Sequence, residues 1–176
     1  VGDSALYSQN SDSNNENTGN TAVGYATGYF NVTGTKNTLI GNEAGLGASG
    51  NSYSENTYVG YIAGTANTTG GNNVGVGSSA LKANTDADHN TAVGANAAIS
   101  TTTGEYNTAV GSAALYTNTT GGQNTAIGYR ALVTNAGSNN TAVGEKALEA
   151  NTTGAYNTAV GVQALDANTT ANNNVA

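Results

Sequence analysis

Apolar and polar positions along this chain follow no helical rhythm: nothing recurs at i, i+3, i+4, i+7, and Gly and β-branched residues fill positions where a helix would place Leu, Glu or Lys. They recur instead as a short phrase. Asn-Thr-Ala-Val-Gly stands at 20–24 and returns, identical or nearly so, at 37–41, 56–60, 73–77, 90–94, 107–111, 124–128, 140–144 and 157–161. The fourth letter is Val or Ile in every copy (Val23, Ile40, Val59, Val76, Val93, Val110, Ile127, Val143, Val160), and the steps between copies are 17, 19, 17, 17, 17, 17, 16 and 17 residues. A period this regular marks a stacked repeat architecture.

The unit reads N-T-A-V-G-x-x-A-L-x-x-N-T-T-G-x-x. Within the phrase, strand alternation sends Asn, the third letter and Gly to one side and Thr and Val to the other. Ala stands three residues after the Gly in nine of ten copies (Ala5, Ala44, Ala63, Ala80, Ala97, Ala114, Ala131, Ala147, Ala164), with Thr27 the exception. Next comes Leu6, Leu81, Leu115, Leu132, Leu148 or Leu165, replaced by Gly28, Gly45, Gly64 and Ala98. Asn-Thr-Thr-Gly, as at 67–70, 118–121 and 151–154, is a corner, because Asn and Gly accept left-handed backbone.

Two short extended pieces and two corners make one coil, so the pattern predicts an all-β fold: a parallel β-solenoid of about ten 17-residue coils, one domain over 1–176. The absence of proline from 176 residues agrees, since nearly every strand N–H in a solenoid donates to the next coil. One coil is expected to bury about one Val, one Leu and some Ala. That is thin against about 1–2 kcal/mol of backbone entropy per ordered residue. Several chains packing apolar strips along a common axis would offset it, and homo-oligomers favour closed rotational symmetry.

The Asn that opens each phrase (Asn20, Asn37, Asn56, Asn73, Asn90, Asn107, Asn124, Asn140, Asn157, Asn174) falls at one place on every coil. Two readings fit. Amides stacked at the strand spacing can bond to those above and below as an asparagine ladder; alternatively they are turn residues. On the ladder reading, Asn107 should matter more to stability than the corner residue Asn118.

These residues carry a resemblance. N-T-A-V-G-x-x-A is similar to the N-S-V-A-I-G-x-x-S/A signature of trimeric autotransporter adhesin heads, and the unit with N-T-T-G looks like repeats of bacterial and phage tail-fibre proteins. The match covers almost the whole chain. It implies a left-handed parallel β-roll wound as a homotrimer. The adhesin unit is typically shorter than this one, and no stalk, anchor or coiled coil accompanies it here.

Composition removes other classes. Val, Ile, Leu and Phe number only 26, a poverty that usually means disorder, yet just 9% of residues are charged and the net charge is −7. Four basic residues (Lys36, Lys82, Arg130, Lys146) supply no nucleic-acid footprint. No apolar 18-mer suggests membrane insertion. With one His (His89), no Cys and no acid pair held in phase, neither an enzyme nor a cofactor site is expected. Asp86, Asp88 and His89 read as a solvated turn rather than a metal cluster. The stretch Asp12–Asn17 carries oxygen ligands suited to calcium but matches no known loop, and an exposed bulge is the plainer reading.

Tyrosine is the abundant aromatic. Tyr25, Tyr61 and Tyr129 follow the phrase Gly, whereas Tyr106 and Tyr156 precede the phrase Asn, so each set lies in one vertical row. Such rows either shield the corners or bind surface glycans. Six sequons (Asn31, Asn67, Asn118, Asn139, Asn151, Asn168) are glycan acceptors if the source glycosylates.

The expected function is therefore an extracellular fibre or filament segment of a cell-surface appendage or virion, adhesive in role and self-associating. A glycan-binding head is the alternative, with an ice-binding solenoid behind it because each strand offers one Thr rather than Thr-x-Thr. No initiating Met or signal peptide is present, so the chain is expected to be a processed product or a piece of something longer. Placed end to end, Asn174-Val175-Ala176 and Val1-Gly2-Asp3-Ser4-Ala5-Leu6 form one phrase in phase. That favours either a longer covalent array or head-to-tail stacking through the termini.

Overall fold

The computed structural model describes residues 1–9 and 18–176. Nine three-residue strands, β1 (Thr21–Val23), β2 (Thr38–Ile40), β3 (Thr57–Val59), β4 (Val74–Val76), β5 (Thr91–Val93), β6 (Thr108–Val110), β7 (Thr125–Ile127), β8 (Thr141–Val143) and β9 (Thr158–Val160), form one parallel sheet in chain order. Equivalent letters pair throughout, Ala92 with Ala109 and Ala109 with Ala126. The fold is a parallel β-solenoid of about eight turns, each advancing the chain by about 17 residues. End segments account for the rest of the expected coils: Leu6 N–H donates to Thr27 O at 2.9 Å, and Ala176 N–H to Thr158 O at 2.9 Å.

Two expectations require correction. The phrase Val does not enter the core. The strands bury their middle residue, which is Ala in most coils, while Val23, Ile40, Val93, Ile127 and Val160 stand exposed on the outer side with Thr. The interior holds the third letter plus the following Ala and Leu, as Ala109, Ala114 and Leu115 show at 0% exposure. It is too narrow for a larger residue at all three places, and the β-branched side chains occupy the outer face of the extended segment they favour.

The second extended piece is also not a strand. Residues 112–117 form a run of turns in which Ala113 and Leu115 adopt positive φ, 56° and 55°. The same conformation recurs at Leu81, Leu132, Leu148 and Leu165. Left-handed backbone costs a non-Gly residue roughly 1–3 kcal/mol. What sustains it is intercoil bonding: Leu115 N–H donates to Ala131 O at 3.0 Å and Leu132 N–H to Ala147 O at 3.0 Å. The wall opposite the sheet is thus hydrogen-bonded coil to coil without being β.

The phrase Gly is one place where the coils approach too closely for a side chain. A Cβ on Gly94, whose φ is +136°, would stand 2.6 Å from the carbonyl oxygen of Gly111 one coil away. Only Gly combines that backbone with that clearance.

Candidate functional site

The ten phrase asparagines run as one continuous column. Each main-chain N–H from Asn37 onward donates to the Oδ1 of the Asn one coil before, at 2.8 to 3.0 Å, beginning with Asn37 to Asn20 and ending with Asn174 to Asn157. In several pairs the side-chain amide joins in, as Asn124 Nδ2 donates to Asn107 Oδ1 at 3.1 Å. Asn37 to Asn157 are buried, while Asn20 and Asn174 near the ends are half-buried.

The corner asparagines are equally interior, which sequence reasoning missed. Asn67, Asn84, Asn118, Asn135 and Asn151 are all at 0% exposure. In most coils the two columns converge on one acceptor. Gly121 O accepts from Asn107 Nδ2 at 3.0 Å and from Asn118 Nδ2 at 2.7 Å; Gly154 O accepts from Asn140 at 2.8 Å and Asn151 at 2.9 Å. The expectation that Asn118 matters less than Asn107 is therefore revised: both amides are buried donors sharing one carbonyl. The Asn-x-x-Gly spacing at 67–70, 118–121 and 151–154 was the available signal, although Asn84 reaches Ala87 O and Asn135 reaches Gly137 O instead.

Burial also decides among the sequons. Asn31, Asn67, Asn118 and Asn151 present no accessible amide nitrogen in the folded chain, whereas Asn139 and Asn168 lie nearer the surface.

The outer face of the sheet carries two uncharged columns. One is Thr21, Thr38, Thr57, Thr91, Thr108, Thr125, Thr141 and Thr158, with Val74 in place of Thr on β4; the other is the Val/Ile column already named. No hydroxyl of these eight threonines hydrogen-bonds within the described residues.

Among the described residues, no group of three His, Cys, Asp or Glu is placed to hold a metal ion. Asp88 Oδ1 accepts from Gly71 N–H at 2.6 Å, Asp86 Oδ1 accepts from the Thr85 hydroxyl at 3.0 Å, and His89 stacks on Tyr106 with centroids 4.9 Å apart. The calcium candidate Asp12–Asn17 lies outside the described residues. Among the described residues, no helix is long and apolar enough to cross a membrane.

Tyr25, Tyr61, Tyr129, Tyr106 and Tyr156 are all exposed. Tyr106 borders a groove of about 330 Å³ with Thr103, Glu105, Gly122, Gln123, Ser138 and Asn139. A second groove, about 390 Å³, lies between Tyr116 and Tyr129 over Val133 and Arg130, and there Arg130 Nη2 is paired with Glu149 at 3.0 Å.

Tyr53 and Tyr58 are different: both are at 0% exposure, and burial pushes both phenols well above the ordinary tyrosine range. Tyr53 donates to Gly45 O, and Tyr58 accepts from Asn67 Nδ2 at 3.1 Å. On the surface, Lys36 and Glu55 pair at 2.9 Å, which raises the lysine and lowers the carboxyl. A pair this exposed contributes little to stability.

No protein-family model, curated protein or solved structure matches this chain.

Proposed function

We propose that the chain is a structural fibre segment of an extracellular appendage or virion, adhesive in role, in which identical solenoids associate side by side through the outer sheet face. One observation carries the reading: a protein of net charge −7 keeps an uninterrupted, uncharged Thr and Val/Ile face along nine strands in register. Self-repulsion is weakest there, and the exposed apolar column gains most from being covered. A repeating face is also complementary to a copy of itself at every step. Closed rotational symmetry satisfies such a face without leaving a remainder, and the adhesin-head resemblance implies three left-handed chains.

Along the axis, the intercoil ladder runs through to Val160 N–H and Ala176 O at 2.8 Å, and a copy stacked in the same register would meet the same ladder. Ten coils would span roughly 48 Å at a strand spacing of about 4.8 Å. Ice binding draws less support, because the second outward row is Val or Ile rather than Thr.

Sedimentation of the chain and of a Val93→Lys/Val110→Lys variant tests the association. A closed oligomer of the parent that dissociates in the variant, with unchanged circular dichroism, is expected. A parent that stays monomeric at every concentration overturns the proposal.

A further inference from the structure

The residue before the phrase Asn stands at a left-handed corner on every coil, with φ 58° at Tyr106, 59° at Gln123 and 61° at Asn139. Three successive coils thus present an aromatic ring and two amides at one place, about 10 Å from first to last by strand spacing. They border the groove of about 330 Å³, together with Glu105 and Thr103.

These side chains are unspent. Within the described residues, the Tyr106 phenol, the Gln123 and Asn139 amides, the Glu105 carboxylate and the Thr103 hydroxyl hydrogen-bond to no other group. In the second groove, by contrast, the polar groups are mostly committed: Thr117 donates to Val133 O at 3.0 Å, Thr134 to Glu149 O at 2.6 Å, and Arg130 is paired with Glu149. Tyr106 is also held in place. His89 stacks on it from the preceding coil, 10° from parallel, while the groove is built from Tyr106's own coil and the next two.

We infer that this groove binds a neutral, extended β-1,4-linked glycan, of the glucan or N-acetylglucosaminan type, lying along the solenoid axis. His89 already covers one face of the Tyr106 ring, and the ring's outer edge and phenol, with the amides and carboxylate beside it, suit the C–H and hydroxyl groups along the edge of a pyranose. One sugar of an extended chain advances by about the height of one coil, so successive sugars meet Tyr106, Gln123 and Asn139 in turn. Glu105, with no cation lining the groove, repels uronate and sulfated chains.

The test is an NMR titration of the isotope-labelled chain with cellotetraose, with the tetrasaccharide of N-acetylglucosamine, and with a galacturonate tetrasaccharide. At least one neutral probe should shift resonances of 103–106, 122–123 and 138–139 saturably, and the acidic probe should not. Tyr106→Asn removes the ring while keeping a residue this backbone position already accepts at Asn72 and Asn139. It should weaken binding roughly tenfold or more, a loss of about 1.4 kcal/mol, whereas Tyr129→Asn in the second groove should not. No saturable shift from either neutral probe at millimolar concentration, equal binding of the acidic probe, or indifference to Tyr106→Asn overturns the inference. Because the titration reads the folded chain in any association state, its failure leaves the fibre proposal standing, and a monomeric parent leaves the groove standing.

Discussion

Tyr58 fills the space that a leucine at 64 would need: a Cβ on Gly64 would lie 2.5 Å from the Tyr58 ring. Leu39 stands in the same relation to Gly28 and Gly45, at 2.7 and 2.8 Å. Interior volume is thus exchanged locally: the regular unit fills it with Ala and Leu, while near the start Leu39 fills the space over Gly28 and Gly45, and Tyr58 that over Gly64. Gly64→Leu should overpack the core by about 1–3 kcal/mol, and Tyr58→Ala should cost about 3–5 kcal/mol. The double variant restores the regular Ala-and-Leu pair, so it should lose clearly less than the sum. Denaturant unfolding of the four proteins measures this coupling, and strict additivity would refute volume exchange.

Asn107→Ala and Asn118→Ala should be comparably destabilising, each by about 1–3 kcal/mol, because each removes a buried amide and leaves neighbours without partners. Chemical denaturation compares them. A corner variant that unfolds like the parent would show that the second column is dispensable.

Thr101 interrupts that second column between Asn84 and Asn118, and its buried Oγ1 has no partner among the described residues. Thr101→Asn should supply a donor to Gly104 O, as Asn118 does to Gly121 O, and stabilise by about 1 kcal/mol. A melting temperature that rises above the parent's is the expected result; a fall would mean that the site has no room for the amide.

Alkaline pH should unfold the chain through Tyr53 and Tyr58. Their folded-state pKa values are raised, so the native state retains protons that the unfolded chain releases above the ordinary value near 10. Stability is therefore whole below about pH 10 and falls above it, by up to about 1.4 kcal/mol per pH unit for each group. Thermal melts across this range should steepen in the parent and flatten in Tyr53→Phe and Tyr58→Phe. Identical slopes would remove the linkage.

The period, the parallel stacking and the phase of the phrase Asn were legible because they follow from spacing and two-residue alternation. Val93 and Val110 were misplaced by hydrophobicity: the alternation already set them beside Thr, but what decides the interior is its width, and width is invisible until coils stack. Leu115 and Leu132 in left-handed backbone carry no letter that announces it, because the intercoil bonds to Ala131 O and Ala147 O impose it. Asn118 looked like ordinary turn chemistry because the local Asn-x-x-Gly bond is the same whether the corner faces water or the core. The groove beside Tyr106 was half legible. The rows of tyrosine were visible, but the unspent amides of Gln123 and Asn139 on the coils above emerge only in three dimensions.

The phrase asparagines have a last consequence. Asn56 N–H reaches Asn37 Oδ1 at 3.0 Å across 19 residues, and Asn140 N–H reaches Asn124 Oδ1 at 3.0 Å across only 16. Every turn is thus zeroed afresh, and a miscount in one corner is cancelled before the next strand begins rather than handed on. Whole turns become interchangeable parts, and a foreign loop spliced at the exposed corner near Ala48 should leave the turns stacked beyond it in place.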